Sequence, residues 1–171
     1  NKCVAYDCGV TATTGSYAFV HNSVATSKIN NIAITNSTLY RIGYSIILHN
    51  LAPSQSVLIE NCTIDNSMGD TRYLVDYNAQ LVGSFQINNT IIGKTLSAAG
   101  TARGIRVGSA YTVVNSYQTA DAVFSANPIT GITNYAGNST ALFTDPSTGN
   151  YLIKDASFAG KSNSGDPRWR L

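Results

Sequence analysis

Asp76, Arg103 and Arg106 are the residues whose types and spacing could do chemistry together, with Arg41, Asp70, Arg72, Tyr44 and Tyr73 close by in the chain. Guanidinium groups neutralise anionic groups through planar two-point contacts. Asp76 offers a carboxylate that could hold a ligand or a metal, and tyrosine rings combine apolar area with a polar tip, which suits stacking on a sugar face. The plainer reading of Asp76 and Arg106 is a surface ion pair of small energetic value. Histidine as a residue type invites a catalytic reading, yet strand alternation puts His21 and His49 on the side of Phe19 and Ile47, so a stacked, partly buried column of His21, His49 and Tyr77 is expected. No Ser-His-Asp or Cys-His arrangement has a supporting context. Cys3, Cys8 and Cys62 form neither a CxxC pair nor an even set and read as buried free thiols.

The elements that must position these side chains are repeats. Set on a recurring Asn, the phrases are "NIAITNSTL" around Asn36, "VLIENCTI" around Asn61, "FQINNTII" around Asn89 and "YTVVNSYQ" around Asn115, at intervals of 25, 28 and 26 residues. A degenerate earlier copy is read at Asp7 in "VAYDCGV". Ahead of each Asn the apolar residues alternate, as Ile32 and Ile34, Val57 and Ile59, Phe85 and Ile87, Tyr111 and Val113. That alternation describes a strand with one buried face. A second strand register lies between them, in "YAFVHN", "IILHN", "LVDYN" and "GIRVG", and a third apolar point follows at Leu39, Ile64 and Ile92. Several short strands per repeat without a helix cannot make a βαβ unit, but they make one turn of a parallel β-solenoid.

The expected fold is therefore all-β: a single-stranded right-handed parallel β-helix of about five coils over residues 1–127, closed by a nonrepeating C-terminal cap over 128–171, in one domain of a larger parent protein. Turns stack at roughly 4.8 Å, so Asn36, Asn61, Asn89 and Asn115 should form a column that pairs side-chain amides at a bend. The N-x-S/T patterns at Asn36 and Asn61 thereby read as structure rather than glycosylation. Cys8 and Cys62, taken as equivalent positions two coils apart, are too distant for a disulfide.

Composition agrees. Charged residues are 12% and hydrophobic residues 43% of the 171, and much of the polar remainder is Asn, Ser and Thr. A formal net charge of +2 is too small to supply a phosphate-neutralising surface, so nucleic acid is not an expected partner. No apolar run approaches the roughly 20 residues that a spanning helix needs.

On these phrases residues 1 to about 127 resemble the pectate lyase superfamily of right-handed parallel β-helix proteins, where an Asn ladder lies at the bend between the second and third sheets. The tail from Leu142, ending in Gly165, Asp166, Pro167, Arg168 and Trp169, is similar to the closing segment of pectate-lyase-like domains from polysaccharide-degrading Bacteroidetes. Phe143, Tyr151, Leu152, Ile153, Phe158 and Trp169 are expected to cover the open end of the stack.

The resemblance implies a secreted, periplasmic or cell-surface bacterial protein, monomeric, that binds or processes an acidic polysaccharide containing uronic acids. It places the sugar groove on the outer face of the first sheet, where alternation turns Phe19, Ile47, Val75 and Ile105 inward and Val20, Leu48, Asp76 and Arg106 outward. Under a lyase reading Arg106 or Arg103 is the base and Asp76 helps to hold substrate or metal. Arg41, Arg72, Asp70, Tyr44 and Tyr73, with Tyr40 beside them, would contact substrate. Calcium is the cofactor such chemistry would use, but only Asp76, Asp70 and the more remote Asp65 are near, short of the six to eight oxygens it takes; no metal site is assigned. The alternatives are a noncatalytic glycan-binding module and a structural spacer or adhesin-like stalk.

Overall fold

The computed structural model describes residues 1–10 and 18–171. Three parallel sheets run along a solenoid of about four turns. The first sheet holds β2 (Val20–His21), β5 (Ile47–Leu48), β8 (Tyr73–Asp76) and β11 (Arg103–Arg106). The second holds β3 (Asn31–Thr35), β6 (Ser54–Glu60), β9 (Val82–Asn88) and β12 (Thr112–Val114). The third holds β1 (Val4–Cys8), β4 (Thr38–Ile42), β7 (Thr63–Asp65), β10 (Ile91–Ile92), β13 (Tyr117–Gln118) and β14 (Thr133–Asn134). Alternation in the second sheet is as the sequence requires: Ile32, Val57, Phe85 and Tyr111, then Ile34, Ile59, Ile87 and Val113, pack into the core, and the residues between face out.

Asn36, Asn61, Asn89 and Asn115 do stand in a column at the bend from the second to the third sheet, with φ of 51°, 53°, 49° and 46°. A left-handed backbone is what turns the chain sharply there, and Asn tolerates it better than other non-glycine residues. The residue after each Asn builds a second column. Ser37, Cys62, Thr90 and Ser116 each donate to the carbonyl two residues back, at 2.7, 3.2, 2.9 and 2.9 Å. In three cases the hydroxyl also accepts from the turn before: Cys3 N–H to Ser37 at 3.1 Å, Cys62 N–H to Thr90 at 3.3 Å and Thr90 N–H to Ser116 at 3.0 Å. Backbone groups that the bend would leave buried and unpaired are satisfied this way.

Four expectations change. The turn count is about four rather than five, because the copy read at Asp7 contributes a single strand, β1, among the described residues. Its register also differs: Val4 pairs Thr38 and Cys8 pairs Ile42, so Asp7 lies beside Arg41 and the ladder position is held by Lys2. Cys62 is therefore equivalent to Cys3, not Cys8; all three thiols are free, and only Cys62 is buried, which pushes its pKa up to about 12.

In the first sheet Val20 pairs Ile47 and His21 pairs Leu48. The inward column is thus Val20, Ile47, Val75 and Ile105, and the outward one His21, Leu48, Asp76 and Arg106. The buried ring stack is His49 on Tyr77, with centroids 5.1 Å apart, and Asn22 rather than His21 continues it. His49 Nδ1 donates to Ala52 O at 2.8 Å while its Nε2 accepts from Ile29 N–H at 2.9 Å, which fits the Nδ1-protonated tautomer.

The last change concerns the tail. The far end of the stack is covered by Ala122, Phe124, Ile129 and Ile132, which join the solenoid core. The residues beyond form a strap along the flank: α1 (Ser139–Leu142), then the antiparallel pair β15 (Phe143–Asp145) and β16 (Asn150–Ile153), then a closing segment. Leu142, Phe143, Tyr151, Ile153 and Phe158 form a second core with Ile91, against which Tyr40, Tyr117, Tyr135 and Trp169 pack. Leu152 is exposed.

Gly165 sits at φ 79°, where a Cβ would come within 2.9 Å of Ile91 Cδ1, so that this phrase can lie flat on the third sheet. There Asp166 accepts from Thr38 Oγ1 at 2.7 Å and its N–H donates to Thr63 Oγ1 at 3.0 Å, while Trp169 Nε1 donates to Thr38 Oγ1 at 2.7 Å.

Candidate functional site

The outer face of the first sheet carries an open cleft of about 790 Å³. Strand pairing stacks Arg103 on Tyr73 and Arg106 on Asp76. Tyr73 and Asp76, three residues apart, both line the cleft, whereas Leu74 and Val75 between them are fully buried. Simple alternation does not describe this short strand.

Arg106 binds Asp76 in a two-point fork, Nε to Oδ1 at 2.9 Å and Nη2 to Oδ2 at 2.8 Å. Asp76 Oδ1 also accepts the Asn78 N–H at 2.9 Å, and the carboxylate is only 8% exposed. The hydrogen bond from Asp76 pushes the Arg106 pKa further up, so Arg106 is held as a cation and is ill suited to take a proton. Its guanidinium lies 4.5 Å from the Tyr73 ring centroid. Arg103 lies 5.3 Å from the same centroid and donates to Tyr73 Oη at 3.3 Å. Arg72 repeats the device one turn earlier, 4.1 Å over the Tyr44 ring with a 2.9 Å bond to its hydroxyl. Each tyrosine thus orients a guanidinium over its ring.

Six of the eight sequence-derived site residues meet here: Arg72, Asp76, Arg103, Arg106, Tyr44 and Tyr73. Arg41 does not. It pairs with Asp7 at 2.6 Å on the third sheet, at a second left-handed column of Asp7, Arg41 and Asn66. Asp70 does not either: it accepts from Ser97 Oγ and from the Ala99 N–H at 3.1 Å, fastening that loop, and these bonds hold its carboxyl below the usual range. Tyr40 lies under the strap, stacked on Tyr6 with centroids 5.2 Å apart.

Asp65 is buried beneath the strap, where desolvation raises its pKa against hydrogen bonds from Ser139, the Lys94 N–H and Tyr151. The three carboxylates considered for calcium are therefore dispersed, and among the described residues no group of three or more His, Cys, Asp or Glu is placed to hold a metal ion.

Sequence reasoning turned Leu48 toward this face but missed His21, Asn50 and Leu51 in the cleft wall. His21 was one register step away, on a two-residue strand whose alternation fits either phase.

Residues 57–169, well over half of the chain, match a domain of unknown function, DUF5123. The chain belongs to this family. The DUF5123 match includes Arg72, Tyr73, Asp76, Arg103 and Arg106 together with the strap through Trp169, while Tyr44 and His21 come from turns ahead of it. No curated protein and no solved structure matches the chain. No helix among the described residues is long and apolar enough to cross a membrane.

Proposed function

We propose that the first-sheet cleft binds an acidic polysaccharide, in an exported bacterial protein of pectate-lyase-like architecture. The observation that carries this reading is the convergence of Arg72, Arg103 and Arg106 on one open cleft with Tyr44 and Tyr73, against the single carboxylate of Asp76. Arg72 lies over the Tyr44 ring and Arg103 over the Tyr73 ring, and an extended chain of uronic acid units offers carboxylates for the arginines and ring faces for the aromatics. An open cleft suits a polymer.

Retardation in gels containing polygalacturonate tests the binding, with Arg103→Ala as the probe. Loss of one charge-assisted contact should weaken retention about tenfold. Unchanged retention would place the ligand elsewhere.

A second reading, a polysaccharide lyase, is favoured by one feature: among the described residues Arg103 lies in the cleft without a carboxylate partner and is the candidate left for the base once Arg106 is tied to Asp76. Its test is absorbance of unsaturated products from uronic acid polymers, with and without Ca²⁺. Retention without product in either condition leaves the binding module.

A further inference from the structure

On the second sheet the Asn column is interrupted as a hydrogen-bonded ladder. Asn36 donates to Asn1 Oδ1 at 3.0 Å and Asn61 donates to Asn36 Oδ1 at 3.2 Å. The next rung would be Asn89 to Asn61, but Arg170 Nη2 from the strap occupies Asn61 Oδ1 at 2.6 Å. The backbone column continues through Asn89 and Asn115, yet neither side-chain amide has a hydrogen-bond partner among the described residues.

Both amides instead line a cleft of about 320 Å³ with Glu60, Gln86, Asn88, Thr112 and Val114. Strand pairing sets these residues on a grid: Glu60 beside Asn88 beside Val114 in one row, Gln86 beside Thr112 in another. Rows repeat at roughly 4.8 Å from turn to turn and about 6.6 Å along a strand. Gln86 Oε1 accepts from Asn88 Nδ2 at 3.3 Å, and the Gln86 amide nitrogen and Asn88 side-chain oxygen have no hydrogen-bond partner among the described residues. Glu60 has no hydrogen-bond or ion-pair partner for its carboxylate among the described residues, and Val114 is 51% exposed.

We propose that this cleft is a second ligand site that takes a neutral sugar. A sugar edge carries adjacent hydroxyls that each donate and accept. Amides that offer both functions, with one carboxylate to accept, match that pattern at either end of a hydroxyl pair. Val114 supplies an apolar patch for the ring's C–H face. A single carboxylate without any cation on the grid disfavours an anionic ligand, which separates this site from the arginine cleft and makes the inference independent of the function proposed there.

The test is NMR titration of the full chain with neutral tetrasaccharides of glucose, xylose, mannose and galactose, observing side-chain amide resonances. Expected are saturable shifts of the Asn89, Asn115 and Gln86 amides with at least one sugar. Gln86→Ala, on regular strand backbone, should weaken binding about tenfold by removing paired hydrogen bonds. Asn115→Gly keeps the left-handed backbone while deleting the amide and should weaken it similarly, and Arg103→Ala should leave it unchanged. No saturable shift with any of the four sugars, or saturation undiminished in both Gln86→Ala and Asn115→Gly, would overturn the proposal.

Discussion

At the scale of single residues, the ladder position combines two demands, a left-handed backbone and a side-chain amide, and substitutions can separate them. Asn61 has φ 53°, donates to Asn36 and accepts from Arg170. Asn61→Gly removes the amide but accepts the backbone, whereas Asn61→Ala removes both comforts. Alanine should therefore be less stable than glycine here by roughly 1–2 kcal/mol, the cost of a left-handed conformation with a Cβ. Urea unfolding of the two variants checks the order; equal midpoints would mean that the backbone geometry is not under constraint. This much was readable in advance, because Asn36, Asn61, Asn89 and Asn115 recur in one phrase. The second column, at Ser37, Cys62, Thr90 and Ser116, lies in the same phrases but was not read from them. The pairing of Asp76 with Arg106 followed from the same alignment. His21 did not, since β2 is two residues long and Phe19 and Val20 are both apolar, so hydrophobic alternation alone does not choose between phases.

At the scale of elements, the strap meets the solenoid over a buried carboxylate. Asp65 is 2% exposed and accepts from Ser139 Oγ at 2.6 Å, the Lys94 N–H at 2.8 Å and Tyr151 Oη at 3.1 Å. Asp121 lies across Ser139 and accepts its backbone N–H at 3.0 Å. Burial dominates these donors, so the folded-state pKa of Asp65 stands above its unfolded value. The folded chain then holds the proton more tightly than the unfolded chain does. The sign is opposite to that of an ordinary salt-bridged carboxylate: the contribution is fully present below the unfolded pKa and is lost as pH rises through the folded one. Asp70, Asp145 and Asp155, all held low by hydrogen bonds, act in the other direction. Comparison with Asp65→Asn isolates the buried group. Relative to that variant, the wild-type chain should gain stability as pH falls from neutrality, measured by thermal unfolding across pH. A stability difference that is flat in pH, or that shrinks toward acid, would contradict it. The tail's apolar residues Phe143, Tyr151, Ile153, Phe158 and Trp169 were legible as cover, but the place they cover was not. Tyr151 reaches Asp65 and Asp166 reaches Thr63 across 86 and 103 residues of sequence, and no repeat connects the tail to the turns it covers.

At the scale of the whole molecule, the strap changes what kind of object the solenoid is. Each turn of a solenoid touches only its neighbours, so such a stack can open from an end, one turn at a time. Here the closing segment runs back along the stack and joins every turn. Ser164 Oγ donates to Asn115 O at 2.7 Å, Gly165 N–H to Asn89 O at 2.8 Å, and Asp166 bonds Thr63 and Thr38. Arg168, itself paired with Asp166, donates to Cys3 O at 2.8 Å, and Trp169 reaches Thr38. The tie reaches the end of the stack where β1, β2 and β3 are the edge strands of their sheets among the described residues. Replacing Arg168 and Trp169 together by alanine removes their bonds to Cys3 and Thr38, so that Asp166 alone holds Thr38, while Ser164 stays on the fourth turn and Gly165 on the third. Native-state hydrogen exchange should then show Thr38–Ile42 opening separately, at least about tenfold faster than in the parent chain for the loss of two or more net hydrogen bonds. Protection at Arg103–Arg106 should stay near its parent value. If both ends instead lost protection by the same factor, the solenoid would be one cooperative unit without the strap, and the contacts of its last residues would add stability without linking the turns.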